Sequence, residues 1–170
     1  MPAVVSMTVL VLAEGFNEGP DADAVAEAIA RGLSADGRLR CDPCPIERNE
    51  YTDPIEREQR TNAGGGGLAR AGFRRARPSA LLDAHDFDRR MRAARAIVIA
   101  TPRLDDRALA GSLVFEAATR ARQAGVPAYA ITAENALDPF EARIVDLQVI
   151  LRASTPRALS AAARELATVV

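Results

Sequence analysis

The chain has 170 residues, of which 48% are hydrophobic, and this length and composition are those of one globular domain with a core of its own. The formal net charge is only −1, so bulk electrostatics favour neither a nucleic-acid nor a membrane partner. No stretch reaches the roughly 18 uninterrupted apolar residues of a membrane span, and no basic region leads into an apolar run near the N-terminus. We therefore expect one cytoplasmic domain over residues 1–170.

All 22 basic residues are arginines. A chain without lysine cannot form a lysine Schiff base or bind phosphate through a P-loop lysine, which leaves arginine as the permanently charged partner of a phosphate. The charge is unevenly spread, since residues 1–59 hold 12 acids and 5 arginines (−7) and residues 60–107 hold 5 acids and 11 arginines (+6). The two segments could neutralise each other within one chain or dock two copies of it.

Cys41 and Cys44 are too few for a disulfide framework, which agrees with a reducing compartment. Their C-x-x-C spacing also occurs in redox and metal sites. Here, however, Pro43 and Pro45 interleave the two cysteines at the end of a predicted strand, and no second Cys or His pair completes a zinc site. We therefore expect no metal centre.

The first half of the chain predicts two strands and one helix. Residues 7–12 (MTVLVL) form a β-branched apolar run that is typical of a buried strand. Asp21 or Asp23 can cap a helix that runs to Leu33 and ends before Gly37. Residues 39–46 predict a second strand, placed at an edge by its prolines, and residues 47–63 predict a loop or a short helix.

The second half repeats the alternation. We expect a helix over 79–93, capped by Ser79, and the strongest strand of the chain over 96–101 (AIVIAT). A turn, a long helix ended by Gly125, strands over 126–132 and 144–151, and a last helix over 155–169 follow. This order predicts an α/β fold with a doubly wound parallel sheet of about five strands and helices on both faces.

Ligands of such sheets bind beyond the carboxyl ends of the strands, where the strand order reverses. Loops 14–19 and 102–106 follow the first and the central strand, so they are the candidate site. Arg103 and Asp105 are its best candidates, and the alternatives are a plain ion pair or a helix cap at Asp105. Glu14 and Glu18 could hold Mg²⁺, orient a hydroxyl, or be ordinary turn carboxylates.

A run of four glycines, Gly64, Gly65, Gly66 and Gly67, can surround an anion with backbone N–H groups, and arginines follow it. The alternative is a flexible connection. His85, the only histidine, lies on a predicted amphipathic helix, and we expect it at the surface or at the boundary of the core rather than in a catalytic site.

Three segments, in the same order, resemble the bacterial glycerate kinase family. Residues 11–33 are similar to the family's Asp-Ser-Phe-Lys-Gly stretch and the helix behind it. The glycine run and residues 81–84 (LLDA) are similar to its Gly-Gly-Leu-Gly loop and Leu-Asp-Ala helix. Residues 96–132 resemble its Val-Ile-Thr-Gly-Glu-Gly-Arg-Leu-Asp strand and turn, the next helix and a Gly-Val-Pro strand.

The resemblance implies the Rossmann-like half of the glycerate kinase fold and, in intact members, transfer of the ATP γ-phosphate to D-glycerate. It implies catalytic roles for Asp105, Arg103 and Glu14, and cofactor-binding roles for Asp83 and the glycine run, with ATP and Mg²⁺ as cofactors. The family's inserted second domain is absent, and residues 47–66 would form the loop or linker in its place.

Several positions depart from the family pattern. Asn17 and Ser112 stand at lysine positions, and residues 100–102 (Ala-Thr-Pro) replace the Gly-Glu-Gly of the turn. Losing an essential cationic contact to the transferred phosphate costs roughly a thousandfold in rate. We therefore expect a nucleotide- or anion-binding half-cleft with weak or no kinase activity. The alternatives are a structural or regulatory partner of a full-length paralogue, or a kinase completed by homo-oligomerisation.

Overall fold

A computed structural model describes residues 7–47, Glu50, 76–109 and 111–170. Strands and helices alternate along these residues. The strands are β1 (Met7–Glu14), β2 (Leu39–Ile46), β3 (Ala96–Leu104), β4 (Ala128–Asn135) and β5 (Leu147–Arg152). The α-helices are α1 (Ala22–Leu33), α2 (Pro78–Ala84), α3 (Phe87–Ala93), α4 (Leu113–Ala124), α5 (Pro139–Val145) and α6 (Pro156–Leu166), and a 3-10 helix covers Asp106–Leu109.

The five strands form one sheet in the order β2-β1-β3-β4-β5, and every neighbouring pair is parallel. The chain first steps outward from β1 to β2, then crosses back to β3 on the other side of β1. The strand order therefore reverses between β1 and β3. This Rossmann-like arrangement confirms the predicted doubly wound parallel sheet.

Both faces of the sheet are covered by helices, as the apolar pattern predicts. Val9 and Val11 of β1 pack into a core closed by α1 and α6. Leu10 and Leu12, which point to the opposite face, pack into a second core with α2, α3 and α4. The alternation follows from the two-residue repeat of a strand, and both faces of β1 are apolar because helices cover both.

Local capping signals fix most helix ends. The Asp21 carboxylate accepts a hydrogen bond from the Ala24 N–H at 2.8 Å and starts α1. Thr155 starts α6 in the same way, through the Ala158 N–H at 3.2 Å. Gly125 ends α4 with a φ of 70°, which costs glycine little. These three ends confirm the predictions.

The predicted single helix over 79–93 is wrong, because α2 and α3 are separate helices. His85 and Asp86 lie between them, and Asp86 has a φ of 53°. Aspartate tolerates this left-handed conformation better than most residues, and the break turns Phe87 into the core. The predicted cap is also wrong, since α2 begins at Pro78 without a side-chain cap.

The predicted strand over 144–151 begins too early. Ile144 belongs to α5, which starts with a capping box between Asp138 and Glu141 and ends at Asp146, where φ is 59°. A short apolar run fits a helix end as well as a strand, so periodicity alone did not separate the two. The strand itself starts at Leu147.

The chain leaves the sheet after β2 and returns to the same place before α2. The Ala76 N–H donates to the Glu50 carbonyl oxygen at 3.1 Å. Glu50 and Ala76 are therefore adjacent in space although they are far apart in the chain. The linker predicted over 47–66 lies mostly outside the described residues. In the described part of the chain, every helix is too short or too polar to cross a bilayer.

Candidate functional site

A cavity of about 820 Å³ opens at the carboxyl edge of the sheet. Four segments line it, namely the β1–α1 loop, the ends of β3 and β4, and the β5–α6 connection. Both loops that the sequence nominated, 14–19 and 102–106, contribute to this cavity through Phe16, Glu18 and Arg103. The cavity thus includes the point where the strand order reverses, as expected for a ligand site of this fold.

The β1–α1 loop is held in a tight turn. The Phe16 N–H donates to the Pro20 carbonyl at 2.8 Å, and the Gly19 N–H donates to the Phe16 carbonyl at 3.1 Å. The Phe16 side chain is buried and anchors the turn in the core of α1. Glu18, at the tip, has a φ of 54° and an exposed side chain that lines the cavity.

Arg103 is neutralised by two carboxylates. Its Nε donates to Asp105 Oδ2 at 2.8 Å, and its Nη1 donates to Glu134 Oε2 at 2.9 Å. Arg103 and Glu134 are register partners on neighbouring strands, so the sheet itself places them together. The ion-pair alternative for Arg103 and Asp105 is correct. Ser112, rather than Asp105, caps α4, whereas the 3-10 helix begins directly after Asp105.

Two buried threonines fix the ends of these strands. Thr101 and Thr132 are register partners. The Thr101 hydroxyl donates to the Arg103 carbonyl at 3.5 Å, and the Thr132 hydroxyl donates to the Glu134 carbonyl at 2.9 Å. Each hydroxyl thus satisfies a carbonyl two residues further along its own strand, which holds the backbone of the Arg103–Glu134 pair in place.

Arg152 is the cationic side chain that sequence reasoning missed. It is the last residue of β5, it is exposed, and it lines the cavity together with Ser154 and Thr155. Among the described residues, no carboxylate forms an ion pair with its guanidinium. Its position at the carboxyl end of a strand, just before the Thr155 cap, was the signal that could have found it.

Glu14 is buried at the end of β1, with 4% of its surface exposed. By strand alternation it shares the sheet face of Leu10 and Leu12, which pack on α2 to α4 rather than on α1 and α6. Glu14 is not among the residues that line the cavity. The structure therefore brings Arg103 and Asp105 together but separates Glu14 from the cavity.

Asp83, the other predicted cofactor residue, binds Arg120 of α4 at 2.7 Å. Arg120 also binds Asp88 at 3.1 Å and Glu116 at 2.9 Å. Burial lowers the pKa of the Arg120 guanidinium, but the hydrogen bonds to these carboxylates raise it more, so its net pKa lies above the ordinary value. This network joins α2, α3 and α4 away from the cavity lining. Residues 64–67, the predicted glycine loop, lie outside the described residues.

The described carboxylates do not form a ready-made cluster around a Mg²⁺ ion. This cation prefers several oxygen ligands at near-octahedral geometry. Asp105 and Glu134 already bind the Arg103 guanidinium. Within the described ranges, no three His, Cys, Asp or Glu side chains are grouped so as to hold a metal.

The two cysteines lie on opposite faces of β2. Cys44 is fully buried among the residues covered by α2 to α4, whereas Cys41 packs against the core of α1 and α6. Burial raises the pKa of both thiols above the usual 9.0, and for Cys44 the nearby Arg90 only partly offsets this. A low thiol pKa marks reactive cysteines, so the pair has the character of structural thiols.

Comparisons with known proteins place the chain in a family. A crystal structure described as that of a pilus assembly-related protein from Burkholderia pseudomallei K96243 aligns over 96% of this chain and 90% of its own, with a TM-score of 0.44 and 19% identity. A comparison with curated proteins gave no match. A sequence model of the glycerate kinase family matches residues 48–169, which is well over half of the chain. The chain therefore belongs to the glycerate kinase family.

Proposed function

We propose that this glycerate kinase family domain binds a small hydroxy acid with one negative charge, of the D-glycerate kind, in the cavity at the carboxyl edge. The observation that carries the proposal is Arg152. Its guanidinium lines the cavity, and no described carboxylate pairs with it. A guanidinium presents a fork of N–H donors that matches a carboxylate, so Arg152 is the group that would bind the acid.

The charged side chains of the cavity other than Arg152 favour a ligand with one anionic group over a ligand with several. Arg103 with Asp105 and Glu134 carries a net charge of −1, and Glu18 adds another negative charge. Carboxylates accept hydrogen bonds from hydroxyls but repel phosphates. A molecule with one carboxylate and neighbouring hydroxyls therefore suits the cavity better than a nucleotide or a phosphorylated acid.

Phosphoryl transfer by the chain alone is proposed to be weak or absent. The reaction depends on cations that neutralise the transferring phosphate, usually with Mg²⁺. Arg103 is already neutralised by two carboxylates, and the described residues contain no cluster of three metal-binding side chains. ATP and Mg²⁺ remain proposed cofactors through the family alone. We also propose a cytoplasmic location, which suits two free thiols.

Thermal melting with D-glycerate tests the proposed ligand. A ligand at 100 times its Kd adds about 2.7 kcal/mol, which raises the melting temperature by roughly 5 to 10 °C for a chain of this size. Arg152→Gln should abolish the rise. Arg157→Gln, an exposed arginine that does not line the cavity, is the matched control and should keep it.

The same titration with phosphoglycerate, ATP and ADP, each with and without Mg²⁺, tests the charge argument. We expect smaller shifts than with D-glycerate, and Glu18→Gln should enlarge the shift with phosphoglycerate because it removes one negative charge. No shift with any acid, or a D-glycerate shift that survives Arg152→Gln, would contradict the proposal.

A phosphorylation assay with ATP, Mg²⁺ and D-glycerate tests the proposed lack of activity. We expect wild-type turnover close to that of Asp105→Asn, which breaks the carboxylate contact to Arg103. Turnover that is robust in the wild type and lost in Asp105→Asn would show that the chain is a competent kinase by itself.

A further inference from the structure

The surface formed by α5 and β5 is unusually apolar for the outside of an α/β domain. In the sheet as described, β5 lies at an edge. Most apolar residues of β1 and β3 are fully buried, whereas those of β5 are only half-buried. The apolar residues of β5 are Leu147, Val149, Ile150 and Leu151. The helix that immediately precedes this strand in the chain, α5, exposes Phe140 to 70% and Ile144 to 40%, and these residues share one helix face. We call this apolar surface the β5 edge.

The opposite edge of the sheet is protected against pairing, and the β5 edge is not. In β2, Pro43 and Pro45 remove two backbone N–H donors. Arg90 of α3 also donates to the Pro43 carbonyl at 2.6 Å and binds Asp42 at 2.7 Å. Proline and charged side chains are the usual devices that keep an edge strand from adding another strand.

Residues 147–151 of β5 carry none of these devices, and the one charged residue of the strand, Arg152, stands at its end. The six residues of β5 contain no proline, and four of them are apolar. Among the described residues, no side chain donates to or accepts from the backbone of this strand. As far as the described ranges go, its outward N–H and C=O groups would be satisfied by another strand.

The charges at the two ends of β5 indicate which strand would fit. Asp146 precedes the strand, and Arg152 ends it. An antiparallel copy of β5 would place Arg152 beside the partner's Asp146 at both ends, whereas a parallel copy would place like charges together. The described contact of the Asp146 carboxylate is the Gln148 amide at 3.4 Å, and no described carboxylate pairs with Arg152.

We propose that the β5 edge binds a second copy of this chain, strand to antiparallel strand, across a two-fold axis. The two sheets then form one continuous ten-stranded sheet, and Phe140 and Ile144 of both copies cover the junction. The interface is isologous, because each residue meets the same surface on the partner. Arg152 has five N–H donors, so its guanidinium can serve a cavity ligand and a partner carboxylate at once.

Sedimentation analysis of the full chain without ligand tests the proposal, so it does not depend on what the cavity binds. We expect a species of twice the chain mass of 18.1 kDa at micromolar concentration. Phe140→Ser with Ile144→Lys should leave a folded monomer, since both side chains are exposed. A wild type that stays monomeric over the micromolar range would overturn the proposal.

Exchanging the charges at positions 146 and 152 tests whether the two copies meet at the β5 edge rather than elsewhere. Arg152→Glu should weaken the dimer about tenfold, because it places like charges at both ends of the strand pair. Adding Asp146→Arg to Arg152→Glu should restore most of the affinity, and Arg157→Glu should change nothing. A dimer that ignores Arg152→Glu, or one that the second substitution fails to restore, would show that the copies meet elsewhere. Circular dichroism of each variant checks that it is folded.

Discussion

Arg120 joins three helices through one side chain. Its guanidinium donates to Asp83 of α2, to Asp88 of α3 and to Glu116 on its own helix, and also to the Ser79 carbonyl at 3.2 Å. Only 15% of the Arg120 side chain is exposed, whereas Asp83 is 68% exposed. Water therefore solvates the carboxylates better than it solvates the cation that they share.

Replacing Arg120 by methionine should destabilise the fold by about 2 kcal/mol. The change leaves three carboxylates near one another without their cation, and their exposure lowers the cost below that of a fully buried pair. Urea unfolding measures the difference. Arg122→Met, an exposed arginine on the same helix with no ion pair to a described residue, should change stability by less than about 0.5 kcal/mol. Equal effects of the two variants would show that the Arg120 network contributes nothing specific.

At the scale of elements, α1 and α6 cross in close contact. A Cβ atom added at Gly32 would lie 2.2 Å from the Ser160 carbonyl oxygen and 2.6 Å from the Ala163 Cβ. The glycine is required by this approach of two backbones rather than by its own dihedral angles. The sequence around Gly32 shows only an ordinary helical pattern, so it did not indicate that α6 crosses α1 at this position.

Gly32→Ala separates helix propensity from packing. In an isolated helix the substitution would stabilise by about 1 kcal/mol. Here it should destabilise by about 2 kcal/mol or more, because α6 must move to admit the methyl group. Arg31→Ala, at an exposed position of α1, is the control and should be nearly neutral. Stabilisation by Gly32→Ala in thermal or urea unfolding would mean that the two helices separate at little cost.

The elements that the sequence predicted well are those with local signals. Residues 39–46 were predicted as a strand and form β2 with the same bounds. The Asp138-Pro139-Phe140-Glu141 capping box was present in the sequence, yet the apolar run behind it favoured a strand. Helix ends and apolar periods are read from a few neighbouring residues, whereas the choice between helix and strand for a short run depends on what it packs against.

For the whole molecule, the contact between Glu50 and Ala76 matters most to the family relationship. The sequence resemblance predicts that family members carry a further domain between the second strand and the glycine loop. Here 25 residues, 51–75, separate two hydrogen-bonded backbone positions. Because Glu50 and Ala76 already lie together, a short linker between them would lose little conformational entropy on closing. The described cores are also built from residues on either side of this range.

Excising residues 51–75 and joining Glu50 to Ala76 through a short Gly-Ser linker should therefore leave the fold intact. We expect the melting temperature to change by less than about 5 °C and any D-glycerate shift to persist, since Arg152 is retained. Cooperative thermal unfolding followed by circular dichroism measures this. A matched insertion of the same linker between Gly37 and Arg38 controls for the linker itself. Loss of the cooperative transition in the excised chain would show that the segment is part of the folded domain.

The sequence by itself determined the alternation of strands and helices, the burial of both sheet faces and the general position of the site. These properties follow from residue periodicity, capping side chains and the direction of parallel strands, all of which are local. Only the tertiary structure decided which charges meet. It paired Arg103 with Glu134, buried Glu14 outside the cavity lining, and left Arg152 at the cavity without a described carboxylate. The physical reason is that ion pairing depends on strand order and register, and these are fixed by packing between residues far apart in the chain.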